Sequence, residues 1–170
     1  MAKRVSLKEF QEGLASRLKA AATEAAPSAR LGFEAGGERW LAKLDNSGEV
    51  LQVPPIQRVP LTRDWFLGVA NIRGSLYGIS DFGAFLGRPP AARGPENRLL
   101  LIGQPLGMNC ALLVTRLAGL RNVVEYTAEP VTGNTAWSAA AWRDQDGRVW
   151  RELDTGQLLA DREFLEIAVH

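Results

Sequence analysis

The chain has 170 residues, 46% of them hydrophobic, and its 20 basic and 19 acidic side chains nearly cancel; that is enough apolar material for a packed core and too little charge excess for a polyanion-binding face. Cys110 is the only cysteine and His170, the last residue, the only histidine, which excludes an internal disulfide, a cysteine-rich metal cluster and a well-placed histidine base. No apolar run near Met1 is long enough for a signal peptide or a membrane span, so a cytoplasmic protein without membrane insertion is expected.

The first element is helical. Ser6 and Glu9 have capping-box spacing, and Leu7, Phe10, Leu14, Leu18 and Ala21 follow at intervals that line up one apolar stripe, with Lys8, Glu12 and Lys19 elsewhere on the wheel. Pro27 and Ser28 end it. Residues 1–29 therefore read as an amphipathic helical extension that packs on the chain's own body or on a partner. From Arg30 the period shortens to that of strands. Arg30 to Ala35 and Glu38 to Leu44 flank Gly36 and Gly37, a hairpin signal.

A helical turn or short strand over Glu49 to Val53 leads to Pro54, Pro55 and a loop as far as Pro60, and a buried strand follows through Val69. The breaker-rich stretch 87–97 reads as the linker between two halves. Asn97 to Ile102 and Met108 to Thr115 form a second hairpin. After a loop over Ala128 to Asn134, Trp137 to Trp142 pairs with Arg148 to Leu153 across an Asp-Gly turn at Asp146 and Gly147. Thr155 to Ala160 is helical, and Phe164 to Val169 extends from it. Residues 30–170 thus form a mainly β domain of two subdomains.

One pattern occurs twice. The run from Gly74 through Asp81 and Gly83 to Leu86 is echoed from Gly147 through Asp154 and Gly156 to Leu159, with glycine, aspartate, glycine and leucine in equal relative positions. Each copy predicts a turn, a strand and a short helix capped by the aspartate. The repetition points to two similar subdomains.

Reactive chemistry is poorly represented. Cys110 sits in an apolar strand and reads as a small core hydrophobe. Asp81-Phe82-Gly83 spells a kinase magnesium triplet but lacks its companion motifs, and Asp144 to Gly147 opens like a calcium loop without the closing glutamate. No catalytic, cofactor or metal residue is assigned. A hydrolase would have to use Glu49 with Asp81, and a small nucleic-acid- or ligand-binding barrel would have only Arg58, Arg63 and Arg73 as its basic face; nucleic acid is not an expected partner.

The run Trp65-Phe66-Leu67-Gly68-Val69-Ala70-Asn71-Ile72-Arg73-Gly74 resembles the signature of the CheW-like coupling proteins of bacterial chemotaxis. The resemblance extends from about Arg30 to Ala160, with Glu49-Val50-Leu51 similar to the family's helical Glu-Ile-Ile segment and Leu153-Asp154 to its closing Leu-Asp. It implies two intertwined five-stranded β-barrels with short connecting helices, and a non-catalytic adaptor, monomeric alone and assembled into arrays. The implied partners are the cytoplasmic tip of a chemoreceptor and the regulatory domain of a CheA-type histidine kinase.

The resemblance also implies that Glu49 pairs with Arg73 and that Glu49, Val50, Asn71, Ile72, Arg73, Gly74, Leu76 and Tyr77 form the protein interface. The plainer reading is that Arg73 satisfies turn carbonyls. The chain departs from the family at Ser47, where valine is usual, at Gly78 and Ser80, where bulk is usual, and at Thr115, where aspartate is usual. With the added N-terminal helix, these departures resemble the PilI-type branch of type IV pilus twitching-motility systems more than the flagellar branch.

Overall fold

The chain enters β1 (Ala29–Ala35), turns through Gly36 and Gly37 at φ of 61° and 76°, and returns as β2 (Glu38–Lys43). Two consecutive positive φ values are the backbone a tight hairpin needs, and glycine adopts them without strain. The computed structural model describes residues 28–43, 47–138 and 140–170, apart from the side chains of 47 and 48. The expected N-terminal helix lies outside the described residues.

β3 (Ser47–Gln52), β4 (Phe66–Ile72) and β5 (Ser75–Asp81) follow, then helix α1 (Phe82–Phe85), β6 (Arg98–Ile102), β7 (Cys110–Val114), β8 (Arg116–Asn122), β9 (Thr127–Glu129), β10 (Ala140–Arg143) and β11 (Val149–Leu153). Helices α2 (Thr155–Ala160) and α3 (Arg162–Leu165) follow. The strands form a six-stranded sheet in the order β8-β1-β2-β11-β10-β9 and a five-stranded sheet in the order β3-β6-β7-β5-β4.

The mainly β, two-subdomain architecture agrees with the sequence reading, with several refinements. Of the two readings of the Glu49 segment, the short strand is the one found, and the helical form implied by the resemblance is not, because these residues pair with β6. The first sheet has six strands because the three-residue β9, which overlaps the start of the expected loop, adds to the edge of β10. The stretch 87–97 joins α1 to β6, so it connects β5 and β6 of one sheet and does not link the halves. Crossing between sheets happens after β2 and again at Thr115, which makes the five-stranded unit an insertion in the six-stranded one. Phe164 belongs to α3, and only Ala168 pairs in β fashion, with Thr62.

Each sheet contains one parallel pair, β2 with β11 and β5 with β7, among antiparallel neighbours. The two parallel partners, β5 and β11, are the strands of the repeated pattern. Each begins after a positive-φ glycine, Gly74 or Gly147. Each ends at an aspartate whose carboxylate accepts a helix-start N–H: Asp81 from Ala84 and Asp154 from Gln157.

β6 and β7 are buried on both faces, as their unbroken apolar runs require. Leu100, Ile102, Leu112 and Val114 face the core between the sheets, where Phe33, Trp40 and Phe82 are fully buried. Leu99, Leu101, Ala111 and Leu113 face the interior of the five-stranded unit, with Ile79 and Tyr77. A smaller cluster of Leu41, Val123 and Trp150 fills the six-stranded unit. Complete burial of a leucine or phenylalanine contributes about 1.5–3 kcal/mol, so the shared core between the sheets holds the two units as one body.

Candidate protein-interaction site

The site grows from two irregularities at opposite edges of the five-stranded sheet. In the β3–β6 ladder Ser47 pairs with Ile102 but Val50 with Leu100, so β3 carries one extra residue ahead of Val50. A bulge of this kind re-aims a side chain out of the regular alternation, and Glu49 sits in it. At the other edge β4 and β5 are joined by a two-residue turn of Arg73 and Gly74, with φ of 51° and 86°. The Asn71 side-chain oxygen accepts the Gly74 N–H at 2.8 Å and stabilises that turn.

Arg73 reaches across from this tip and its guanidinium Nη2 pairs with Glu49 Oε1. The pair clasps the edge strand β3 to the tip of the hairpin that ends the sheet on the opposite side. The hydrogen bond to Glu49 raises the Arg73 pKa above its usual value despite opposing desolvation, so the cation is permanent. The side chains remain 63% and 45% exposed, which leaves both within reach of a partner.

A second closure lies below the clasp. The loop after β3 pairs with β4 through two backbone bonds, Gln57 N–H to the Val69 carbonyl at 2.7 Å and Val69 N–H to the Gln57 carbonyl at 2.9 Å. Gly68 permits it: its φ is 130°, and a Cβ there would stand 2.0 Å from the Gln57 oxygen. The glycine of the Leu67-Gly68-Val69 signature therefore closes the five-stranded sheet on itself. Its role in closure was absent from the site residues expected from the sequence, although a glycine inside a strand pattern is the sign of such a close approach.

The expected interface residues divide by face. Asn71 and Leu76 are direct cross-strand partners and both are exposed, Leu76 by 64%. With Glu49, Arg73 and Gly74 they make one polar surface carrying one leucine. Ala70 and Tyr77, one step along the same ladder, turn inward, and Ile72 is also buried in the five-stranded core. Val50 packs partly against the core between the sheets. Ile72, Tyr77 and Val50 thus support the surface from beneath. The side chain of Ser47 lies outside the described residues.

The polar groups singled out by the sequence are held in separate places. Asp81 is 1% exposed, and its two oxygens accept the Ala84 and Ala91 N–H groups, so it shares no cleft with Glu49. Burial pushes the Cys110 thiol above its usual pKa, away from the thiolate a nucleophile needs. Arg73 is committed to Glu49, and Arg63 donates to the Glu166 carbonyl at 3.4 Å. Among the described residues no group of three or more His, Cys, Asp or Glu side chains gathers to hold a metal, and no helix is long and apolar enough to cross a membrane.

Comparison with known proteins gives the family and the fold. The model of the CheW-like domain family matches residues 30–163. Protein PilI of Pseudomonas aeruginosa is 33% identical over 92 residues, 54% of this chain and 51% of that protein; the chain spans about half the length of the curated relative it matches. The crystal structure of the scaffolding protein TtCheW from Thermoanaerobacter tengcongensis superposes with a TM-score of 0.65 at 18% identity, covering 76% of this chain and 85% of that one. At that identity the superposition establishes a common fold.

Proposed function

Because the chain belongs to the CheW-like domain family, we propose that it is a non-catalytic adaptor that couples the cytoplasmic tip of a chemoreceptor to the regulatory domain of a CheA-type histidine kinase. The observation that carries the reading is the exposed Glu49–Arg73 clasp with Leu76 beside it: a bidentate-capable cation, a carboxylate and an apolar anchor on a rigid sheet edge. The identity with protein PilI supports placing it in the type IV pilus twitching-motility branch. A site of this size gives weak pairwise binding that becomes firm in a multivalent array, so the free protein is a monomer.

The test is binding of the purified protein to the histidine kinase regulatory domain and to a receptor signalling-tip fragment from the same organism. Wild-type protein is retained by both, and Arg73→Glu loses at least one while its circular dichroism is unchanged. Retention of the folded Arg73→Glu variant by both partners refutes the assigned surface. Loss of twitching on gene deletion assigns the pathway; loss of swimming with twitching intact assigns the flagellar one.

A further inference from the structure

β8 forms one edge of the six-stranded sheet and presents apolar side chains to solvent. Leu120 stands opposite Leu31 in the ladder and Leu117 opposite Phe33, so each shares a sheet face with a buried member of the core between the sheets. Yet Leu117 and Leu120 are 36% and 52% exposed, and Val124, in the 3-10 turn that follows β8, is 71% exposed. Among the described residues, the core face of the sheet therefore runs past its cover and ends in two uncovered leucines on an edge strand, with the exposed Val124 in the turn just beyond them.

The described chain begins at the same place. The Ser28 carbonyl accepts the Val123 N–H at 3.1 Å, and Ala29 pairs with Asn122, so residues 1–27 leave the domain beside Val124. That stretch holds the capping box of Ser6 and Glu9 and the helix-spaced Leu7, Phe10, Leu14, Leu18 and Ala21. An isolated helix of this length is marginal unless its apolar stripe finds a surface.

The dimensions match. A helix from Leu7 to Ala21 measures about 22 Å, and the seven residues of β8 span about 23 Å. Residues 22–27 reach up to about 20 Å when extended, ample for the chain to reverse direction and run back along the edge it has just left.

We propose that residues 6–21 form an amphipathic helix that docks in cis along the β8 edge, its apolar stripe against Leu117, Leu120 and Val124. Docked there, it completes the core face of the six-stranded sheet and uses no residue of the Glu49–Arg73 surface. Lys8, Glu12 and Lys19 lie off the stripe and stay in water.

The experiment is hydrogen–deuterium exchange on the full chain, wild type against Leu14→Glu/Leu18→Glu, with the oligomeric state followed by light scattering. In a wild-type monomer the double variant exchanges about tenfold faster over residues 116–124, with β4 and β5 unchanged. The reciprocal variant Leu117→Asp/Leu120→Asp, which alters exposed positions only, speeds exchange over residues 7–21. Unchanged exchange over 116–124 overturns the proposal. So does a wild-type dimer that the Leu14→Glu/Leu18→Glu variant dissociates, since the occupant of the edge is then a second copy. If either variant is globally unfolded by circular dichroism, the other decides, because each reports from the opposite side of the contact.

Discussion

Asp81 and Asp154 occupy equivalent positions in the two halves of the molecule: the backbone N–H of each donates to a tryptophan carbonyl, Asp81 to Trp65 and Asp154 to Trp137, at 2.8 Å in both cases. Each caps the helix that follows, but their surroundings differ. Asp81 is buried and its second oxygen also holds the Ala91 N–H of the loop before β6, whereas Asp154 is exposed and its carboxylate accepts from Gln157. Asp81→Ala is expected to cost about 2–4 kcal/mol, because it leaves a buried cap and a second, part-buried N–H without their acceptor, and Asp154→Ala about 1 kcal/mol, the worth of an exposed cap. Urea midpoints of the two variants measure the difference; equal losses contradict it.

The glycines that follow are not equivalent either. A Cβ on Gly83 would stand 2.8 Å from the Gly36 nitrogen and 3.0 Å from its Cα, both backbone atoms of the first hairpin, while on Gly156 it would meet only Asp154 Oδ1 at 3.4 Å. Gly83→Ala pushes α1 off the β1–β2 turn and is expected to destabilise by about 1–3 kcal/mol. Gly156→Ala adds helix propensity to α2 and is expected to be neutral or to stabilise by up to about 1 kcal/mol. Thermal unfolding of the pair checks the sign of each.

Closure of the five-stranded unit depends on Gly68 more than on the ion pair above it. Gly68→Ala places a methyl at 2.0 Å from the Gln57 oxygen in a positive-φ position, so the Gln57–Val69 bridge must break or the chain must shift; a loss above about 3 kcal/mol is expected. Arg73→Ala, which removes an exposed cation, is expected to cost less than about 1 kcal/mol. If denaturant curves reverse that order, the clasp and not the backbone bridge holds the sheet closed.

Much of this was legible in the residues. Gly36-Gly37 and Gly147 announced their turns, Asp81 and Asp154 their caps, and the repeated spacing the two related halves, since these are local rules that one stretch of chain obeys by itself. What escaped was non-local. β8 has an exposed, arginine-bearing pattern broken by Gly119, from which no element is assigned, and it becomes a strand through its pairing with β1. The stretch 87–97 has the composition of a linker, yet Asp81 and Asn97 tie it down: Asn97 accepts the Gly94 N–H and donates to the Thr115 carbonyl. At the site, the signature identified Glu49 and Arg73 as partners, but the inward turn of Ile72 and Tyr77 follows from ladder register, which a sequence leaves open until both strands are placed.

The Glu34–Arg116 pair supplies a pH-dependent contribution on the same edge that carries Leu117. The two residues are direct cross-strand partners, and the guanidinium donates from Nε to Oε2 at 2.8 Å and from Nη2 to Oε1 at 2.9 Å. That hydrogen bonding holds the Glu34 carboxyl below its usual pKa, against a smaller opposing effect of burial. A depressed carboxyl pKa in the folded state means that stabilisation is complete above the ordinary carboxylate range and is lost as pH falls through the folded value. Glu34→Gln should therefore be less stable than wild type at pH 7 and approach it toward pH 3, with the gap at pH 7 narrowing in high salt because Arg116 is exposed to screening. A gap between the urea midpoints of the two proteins that stays constant from pH 7 to pH 3 would show that Glu34 stabilises β1 and β8 through packing and not through its charge.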